Sequence, residues 1–414
     1  MALKRNWTNC VLFAMGMLLV QGQAIAQFNA YDTVINSGDS SNRVDMIIIG
    51  DGYTAGQINT DYVDHVNGTI NHFFNNAGSA PLNRYKNFFN VHRVNIASNE
   101  SGADKPNDNV YVDTALDASY SWGGNVERCL YFNTSKANMA VFNALSGTGI
   151  DMDDGMLLGT VNDSKYGGCG GSWGVYAGAN SSAYEVATHE IGHSFANLAD
   201  EYFSVGQDWT GGEFSQWNVT NNPNSGKWDR WVGYDDPDTN IGVIDYYEGG
   251  RYNETGVWRP SVNSKMRSLN RPFDAISREK FINDIYEEVD PLDDWLAIDD
   301  GAFVDELWVN TVDENVIDVE WFVDGQSVGI HGETLDLNSL GLVSGNYAIS
   351  ARGYDAILDH AFSGNSLDWW RLDGDHLQQT VNWNVSFSAV PEPGTGMLIG
   401  MTVGLLFCRR RRRT

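Results

Sequence analysis

Residues 184–202 read Tyr184-Glu-Val-Ala-Thr-His189-Glu190-Ile-Gly-His193-Ser-Phe-Ala-Asn-Leu-Ala-Asp200-Glu201-Tyr202. Two histidines four residues apart on a helix point the same way, so His189 and His193 can hold one metal ion while Glu190 lies beside it. The helix is supported locally. Ser182 followed three residues later by Glu185 forms a capping-box pattern, and Ala183, Val186, Ala187 and Ile191 supply apolar packing positions.

Catalytic zinc takes three protein ligands and leaves a position for water. An unbroken helix would carry Asp200 about 10 Å past His193 and about 16 Å past His189 along its axis. Bonds of about 2 Å cannot bridge that span. For Asp200 to be the third ligand the helix must end just after His193 and the chain must turn back. Asn197 is the expected turn residue, because Asn tolerates the left-handed conformation. Glu201, one residue on, is the competing carboxylate.

His-Glu-Ile-Gly-His followed by Leu-Ala-Asp-Glu-Tyr resembles the signature of the secreted bacterial zinc metallopeptidases typified by the IgA peptidase. Ile48-Ile49-Gly50-Asp51-Gly52-Tyr53-Thr54, Ser98-Asn99-Glu100-Ser101-Gly102-Ala103-Asp104, Lys165-Tyr166-Gly167-Gly168, and Arg259-Pro260 leading to Lys265-Met266-Arg267-Ser268-Leu269 resemble the same family. The resemblance spans residues 43–290. It implies an α/β zincin-like, metzincin-type domain with His189, His193 and Asp200 on zinc and Glu190 as general base. It departs from the metzincin pattern at the turn, where Ala196-Asn197 stands in place of a glycine. Met266 matches the methionine beneath the metal in metzincins. Tyr252 and Arg259 are candidates for steadying an oxyanion, with structural pairing the competing role for each.

The termini point to export. Lys4 and Arg5 precede an apolar run at residues 11–20, and Ala24-Ile25-Ala26 forms a signal-peptidase site, so residues 1–26 read as a signal peptide. Val390-Pro391-Glu392-Pro393-Gly394 precedes an apolar stretch at residues 397–407 and five arginines, Arg409 to Arg413. That end resembles a PEP-CTERM sorting signal, implying exosortase processing, transient membrane association, and a final place at the cell surface or extracellular matrix of a Gram-negative bacterium.

The chain carries a net charge of −28, and seven of its positive charges lie in these two terminal segments. Nucleic acid is therefore excluded as a partner, while the resemblance implies a protein or peptide substrate. Acidic loops of this kind can also hold calcium, which stands as a second expected ion beside zinc. Cys129 and Cys169 are the two cysteines outside the targeting segments, and an oxidising compartment favours a disulfide between them over a thiolate site.

Residues 27–297 read as one α/β unit, with strands at 44–50, 91–96 and 156–161 and helices at 57–74 and 277–288. The glycines of residues 165–171 place a loop beside the cleft. Residues 204–263, rich in Trp, Gly, Asn and Asp and weak in periodicity, are expected to form a long functional loop on the specificity side. From 298 to 388 short alternating segments at 315–323, 334–337, 345–353 and 380–387, with an Asp324-Gly325 hairpin signal, read as an immunoglobulin-like β-sandwich with Trp321 and Trp383 in its core. His331, His360 and His376 fall on separate segments and make a poor second metal site. Trp369-Trp370 reads as an interdomain contact in preference to a sugar platform. Residues 389–414 form the sorting segment. The expected function is a secreted zinc endopeptidase. A catalytically inactive display protein binding through the sandwich and a cell-wall peptide amidase are the alternatives.

Overall fold

The computed structural model describes residues 30–124, 126–152, 155–358 and 368–388. The expected signal peptide, sorting segment and His360 lie outside these residues. Among them, no helix is long and apolar enough to cross a membrane.

The first sheet is built from β1 (Tyr31–Ile35), β2 (Val44–Asp51), β3 (Phe89–Val94), β4 (Met156–Val161), β5 (Gly168–Cys169) and β6 (Gly174–Ala177), in the order β1-β3-β2-β4-β6-β5. β2, β3, β4 and β6 run parallel, and the edge strands β1 and β5 run antiparallel to their neighbours. Every residue of β2 is buried, as a strand covered on both faces must be. Its side chains alternate. Val44, Met46 and Ile48 join the core formed with α1 (Asp61–Asn75), while Ile47 and Ile49 face the core under α2 (Thr134–Leu145). The expected helix at 57–74 starts later, at Asp61, because Gln57 is spent on the preceding turn: its Oε1 accepts from both Thr54 N and Oγ1 at 3.0 Å.

Strand β6 leads directly into α3 (Ala183–Ser194), which packs against the sheet and joins the same core as α1. This places the His-Glu-Ile-Gly-His segment beside the edge strand β5.

Residues 204–263 are more ordered than an irregular loop. β7 (Phe203–Asp208), β8 (Tyr247–Gly250) and β9 (Tyr252–Arg259) form a sheet of order β7-β9-β8. Trp228, Trp231, Ile241 and Ile244 build a separate apolar cluster against the start of α4 (Ala275–Glu288). The tryptophans that give this stretch its irregular composition are thus its core. Glu279 of α4 holds Trp231 Nε1 at 2.8 Å and also pairs with Arg230.

The C-terminal part is all β. One sheet is β10 (Leu292–Trp295), β12 (Glu306–Thr311) and β15 (Thr334–Asp336), in the order β10-β12-β15; the other runs β11-β17-β16-β13-β14, from β11 (Ala302–Phe303), β13 (Ile317–Val323), β14 (Gln326–His331), β16 (Gly345–Asp355) and β17 (Gln378–Phe387). Both sheets contribute to one core, in which Trp321 and Trp383 stack with centroids 5.7 Å apart. Asp324 and Gly325 take positive φ at the β13–β14 hairpin, as that dipeptide favours. β10 already pairs with β12, so this part begins before residue 298.

The two parts are welded together. Asp355, fully buried at the end of β16, accepts from Arg84, Tyr85 and Tyr286, and Trp370 sinks into the core of the first part. Trp369-Trp370 is therefore an internal contact, with the Arg278 guanidinium over the Trp369 ring.

Candidate metal centre and cleft

Helix α3 ends at Ser194, immediately after its second histidine. Leu198 N closes back onto Gly192 O at 2.7 Å, and Asn197 takes φ +46°. The turn therefore falls at the expected residue and returns the chain to the helix. Asp200 Oδ1 lies 3.1 Å from His189 Nε2 and 3.3 Å from His193 Nε2, and the two nitrogens are 3.2 Å apart. Glu201 points elsewhere. Its fully buried carboxyl accepts from Asn218 at 3.0 Å and Ser264 at 2.6 Å, and burial beside Asp274 holds its pKa well above the usual range.

The capping box does not form: Ser182 makes no side-chain cap bond. Glu185 instead reaches His72 at 3.2 Å, pairs with the buried Lys265, and accepts from Asn270 N at 2.8 Å. A buried ammonium requires a counterion, and that requirement outweighs a local cap. Burial would raise the Glu185 carboxyl, but His72, Lys265 and Asn270 N hold it down to about 2.

Backbone carbonyls orient both imidazoles. His189 Nδ1 donates to Lys265 O at 2.9 Å, and His193 Nδ1 donates to Leu198 O at 2.7 Å. A carbonyl can only accept, so each Nδ1 carries a proton and each Nε2 is the atom that faces Asp200. With both Nε2 atoms deprotonated, three acceptors converge on one point, an arrangement that suits a cation. Burial pushes the His193 imidazolium down, yet Asp200 beside it raises the pKa to about 9. Asp200 is held well below the carboxylate range, its burial outweighed by the two histidines.

Met266 lies fully buried against Gly192 of α3. A Cβ at Gly192 would sit 2.5 Å from its Sδ, so the close packing of the Met266 loop needs a glycine there. Tyr252 lines the larger cavity, and its hydroxyl donates to Asp200 Oδ2 at 2.5 Å and receives one from Tyr202 at 3.1 Å. Arg259 lies away from the centre: it donates to the carbonyls of Glu248 and Gly249, a structural role.

Glu190 has its carboxylate with the two histidines in one cluster, ligand atoms within 4.8 Å of one another. Burial raises its pKa, against the pull of the histidines. Strand β5 runs so close that a Cβ at Gly168 would meet Glu190 Oε1 at 2.6 Å. Two adjoining cavities open here. One of about 620 Å³ is lined by Trp122, Asp200, Gln216 and Tyr252 among others; the second, of about 240 Å³, reaches Arg267, Ser268 and Leu269. Arg128 lines both, and its Nη2 donates to Tyr202 Oη at 2.7 Å. Sequence reasoning missed Arg128. The available signal was its place next to Cys129, which is disulfide-bonded to Cys169 of β5.

Of the remaining histidines, His331 bonds Asp318 at 2.8 Å and His376 packs on Trp370. Among the described residues the only cluster of three or more potential metal-holding groups is at α3.

A family model for IgA Peptidase M64 matches residues 33–241, just over half of the chain, and a model of the PEP-CTERM protein-sorting motif matches residues 389–413. No curated protein matches.

Proposed function

The chain belongs to the IgA peptidase M64 family, and from that premise we propose that it is an exported zinc-dependent endopeptidase with His189, His193 and Asp200 as metal ligands and Glu190 as general base. The observation that carries the proposal is the triangle of donor atoms at 3.1, 3.2 and 3.3 Å. A tetrahedral ion with bonds of about 2.0–2.1 Å sets its ligands roughly 3.3–3.4 Å apart, so these residues fit zinc.

Bound zinc supplies Lewis acidity, which lowers the pKa of water at the site and polarises the scissile carbonyl. The protein supplies the rest. The Nδ1 bonds to Lys265 O and Leu198 O hold both imidazoles in the ligating tautomer. Tyr252 occupies Asp200 Oδ2 and leaves Oδ1 for the ligand position. Glu190, buried and with a raised pKa, takes the proton of the attacking water at its carboxylate and delivers it to the leaving amine. The larger cavity accommodates the peptide along β5.

The fold belongs to the same proposal: a metzincin-type catalytic unit, with Asn197 at the turn and Met266 beneath the metal, followed by an immunoglobulin-like sandwich in which two sheets share one core. The expected division at 297/298 then moves to about residue 290, ahead of β10. The sorting motif supports passage through signal peptidase and exosortase to the surface of a Gram-negative cell.

Purified residues 27–388 and the Glu190→Ala variant test the reading through zinc content and cleavage of an unfolded protein mixture. One zinc in each and cleavage by the parent alone is expected. Zinc in both without cleavage by either removes the peptidase reading, and absence of zinc from both removes the ligand set.

A further inference from the structure

Acidic residues outnumber basic ones by 54 to 26 in this chain, and seven of the twelve arginines among the described residues pair with a carboxylate. Arg43 meets Asp293, Arg84 meets Asp355, Arg230 meets Glu279 and Arg278 meets Asp236, all within 2.7 Å. Two arginines on the wall of the smaller cavity do not. Arg128 gives Nη2 to Tyr202 Oη at 2.7 Å, and Arg267 gives Nη1 to Val262 O at 2.5 Å. Among the described residues, neither has a carboxylate within the 4.0 Å of an ion pair. A guanidinium carries five donors in a rigid fork, so most of each fork is left over.

The rest of the wall fits the same ligand. Tyr166 and Ser268 add hydroxyls that have no hydrogen-bond partner among the described residues, while Val186 and Leu269 supply apolar surface for a short aliphatic stem. The cavity, about 240 Å³, is smaller than the roughly 300–1,000 Å³ of a small-molecule site, and its size suits one side chain. It is continuous with His189 and Glu190, so whatever fills it is joined to the bond being cut. The negative charge elsewhere on the protein does not cancel this preference. Exposed charges beyond about 10 Å are largely screened at 0.1 M salt, so the wall itself decides, and there Arg128 and Arg267 outnumber the one carboxylate, Glu190.

We infer that this cavity is a specificity subsite for an acidic side chain next to the scissile bond, with Arg267 and Arg128 as its anchors; the inference rests on the peptidase reading above. A carboxylate in the fork of Arg267 makes the charge-assisted, two-pronged contact for which the guanidinium is shaped. A glutamine at the same place keeps the shape and loses the charge. The subsite should therefore favour Glu over Gln by about 10- to 100-fold in kcat/KM. Arg267 lines the smaller cavity and not the larger one, which makes it the residue to vary.

The experiment maps cut sites by mass spectrometry on an unfolded protein mixture, using the parent, Arg267→Ala and Arg267→Glu, with Glu190→Ala as the background. Thermal melting and zinc content check each variant. Paired peptides differing in one Glu or Gln give the ratio, and anisotropy of the same peptides on Glu190→Ala reads binding without turnover. The parent should cut beside Asp or Glu, Arg267→Ala should lose most of the Glu/Gln ratio, and Arg267→Glu should turn the preference toward Lys. Cutting by the parent with no acidic preference, or a ratio unmoved in both variants, overturns this inference alone. Absence of any cut above the Glu190→Ala background overturns the peptidase reading and this one with it.

Discussion

Replacing Gly192 by alanine sets two effects of opposite sign against each other. In a helix interior, alanine is favoured over glycine by about 1 kcal/mol. Here the new Cβ would lie 2.5 Å from Met266 Sδ, 3.1 Å from its Cε and 3.4 Å from Phe273 Cε1. Met266 and Phe273 are fully buried, so the methionine has no open space to swing into. Overpacking a tight site costs about 1–3 kcal/mol, which outweighs the helix term and leaves a net loss of roughly 1 kcal/mol. The larger consequence is local. The Met266 loop carries Lys265 O, which orients His189, and Met266 O, which accepts from Glu201 N at 2.8 Å. Displacing the loop should weaken zinc binding by about 10-fold, as loss of a group that orients a ligand does. Chelator-competition titration reads the zinc affinity, and urea melts of the metal-free protein read the stability. Met266→Ala alone should cost about 2–5 kcal/mol through the cavity it leaves. The double variant should be more stable than the sum of the two single losses, because the truncated side chain makes room for the new methyl. If Gly192→Ala is stabilising by about 1 kcal/mol and zinc affinity does not change, the contact with Met266 is not what keeps residue 192 a glycine.

Two further outcomes follow from the charges around the centre. In the metal-free protein Asp200 holds the His193 proton up to a pKa of about 9, so zinc must expel that proton at lower pH. Apparent zinc affinity should rise about tenfold per pH unit until near pH 9 and then level off. Calorimetry in buffers of different ionisation enthalpy should show at least one proton released per zinc at pH 7.5, and release near zero would refute the assignment. Glu185 is shifted the other way, with a folded pKa of about 2 against an ordinary 4.5. Its contribution is therefore present in full above about pH 4.5 and is lost as pH falls toward 2. At 1.36 kcal/mol per unit, discounted for a partly solvated site, it is worth about 1–2 kcal/mol. Glu185→Gln should flatten the dependence of urea midpoints on pH between 5 and 2, and an unchanged slope would remove Glu185 from the account.

The groups brought to the centre were legible because they lie within twelve residues of one another and obey helix geometry. His189, Glu190 and His193 follow from the helical repeat, and the need for a left-handed residue singled out Asn197 before any contact was known. The turn's exact length separates Asp200 from Glu201, and it rests on Leu198 N meeting Gly192 O, a bond no local pattern specifies. The buried strand β2 and the stacked pair Trp321 and Trp383 were legible for a similar reason, since an apolar run or a period of two reports burial directly.

What remained hidden depends on partners far away in the chain. Ser182 and Glu185 carry a sound capping pattern, yet Lys265, eighty residues later, is buried and takes the carboxylate. Arg128 reaches the cleft because a disulfide ties its loop to β5, forty residues on, and nothing near Arg128 in sequence says which way it faces. Arg259 carries a charge suited to an active site but spends it on two carbonyls of its own sheet. The division follows from the chemistry. Metal ligation requires a few donors at fixed short distances, which one helix and one turn can deliver. Substrate selection requires a wall, and this wall is assembled from the Arg128 loop, the segment of Tyr166 and β5, α3, Tyr202 beyond it and the loop after Met266, so the residues that choose a substrate become visible only when those segments are folded together.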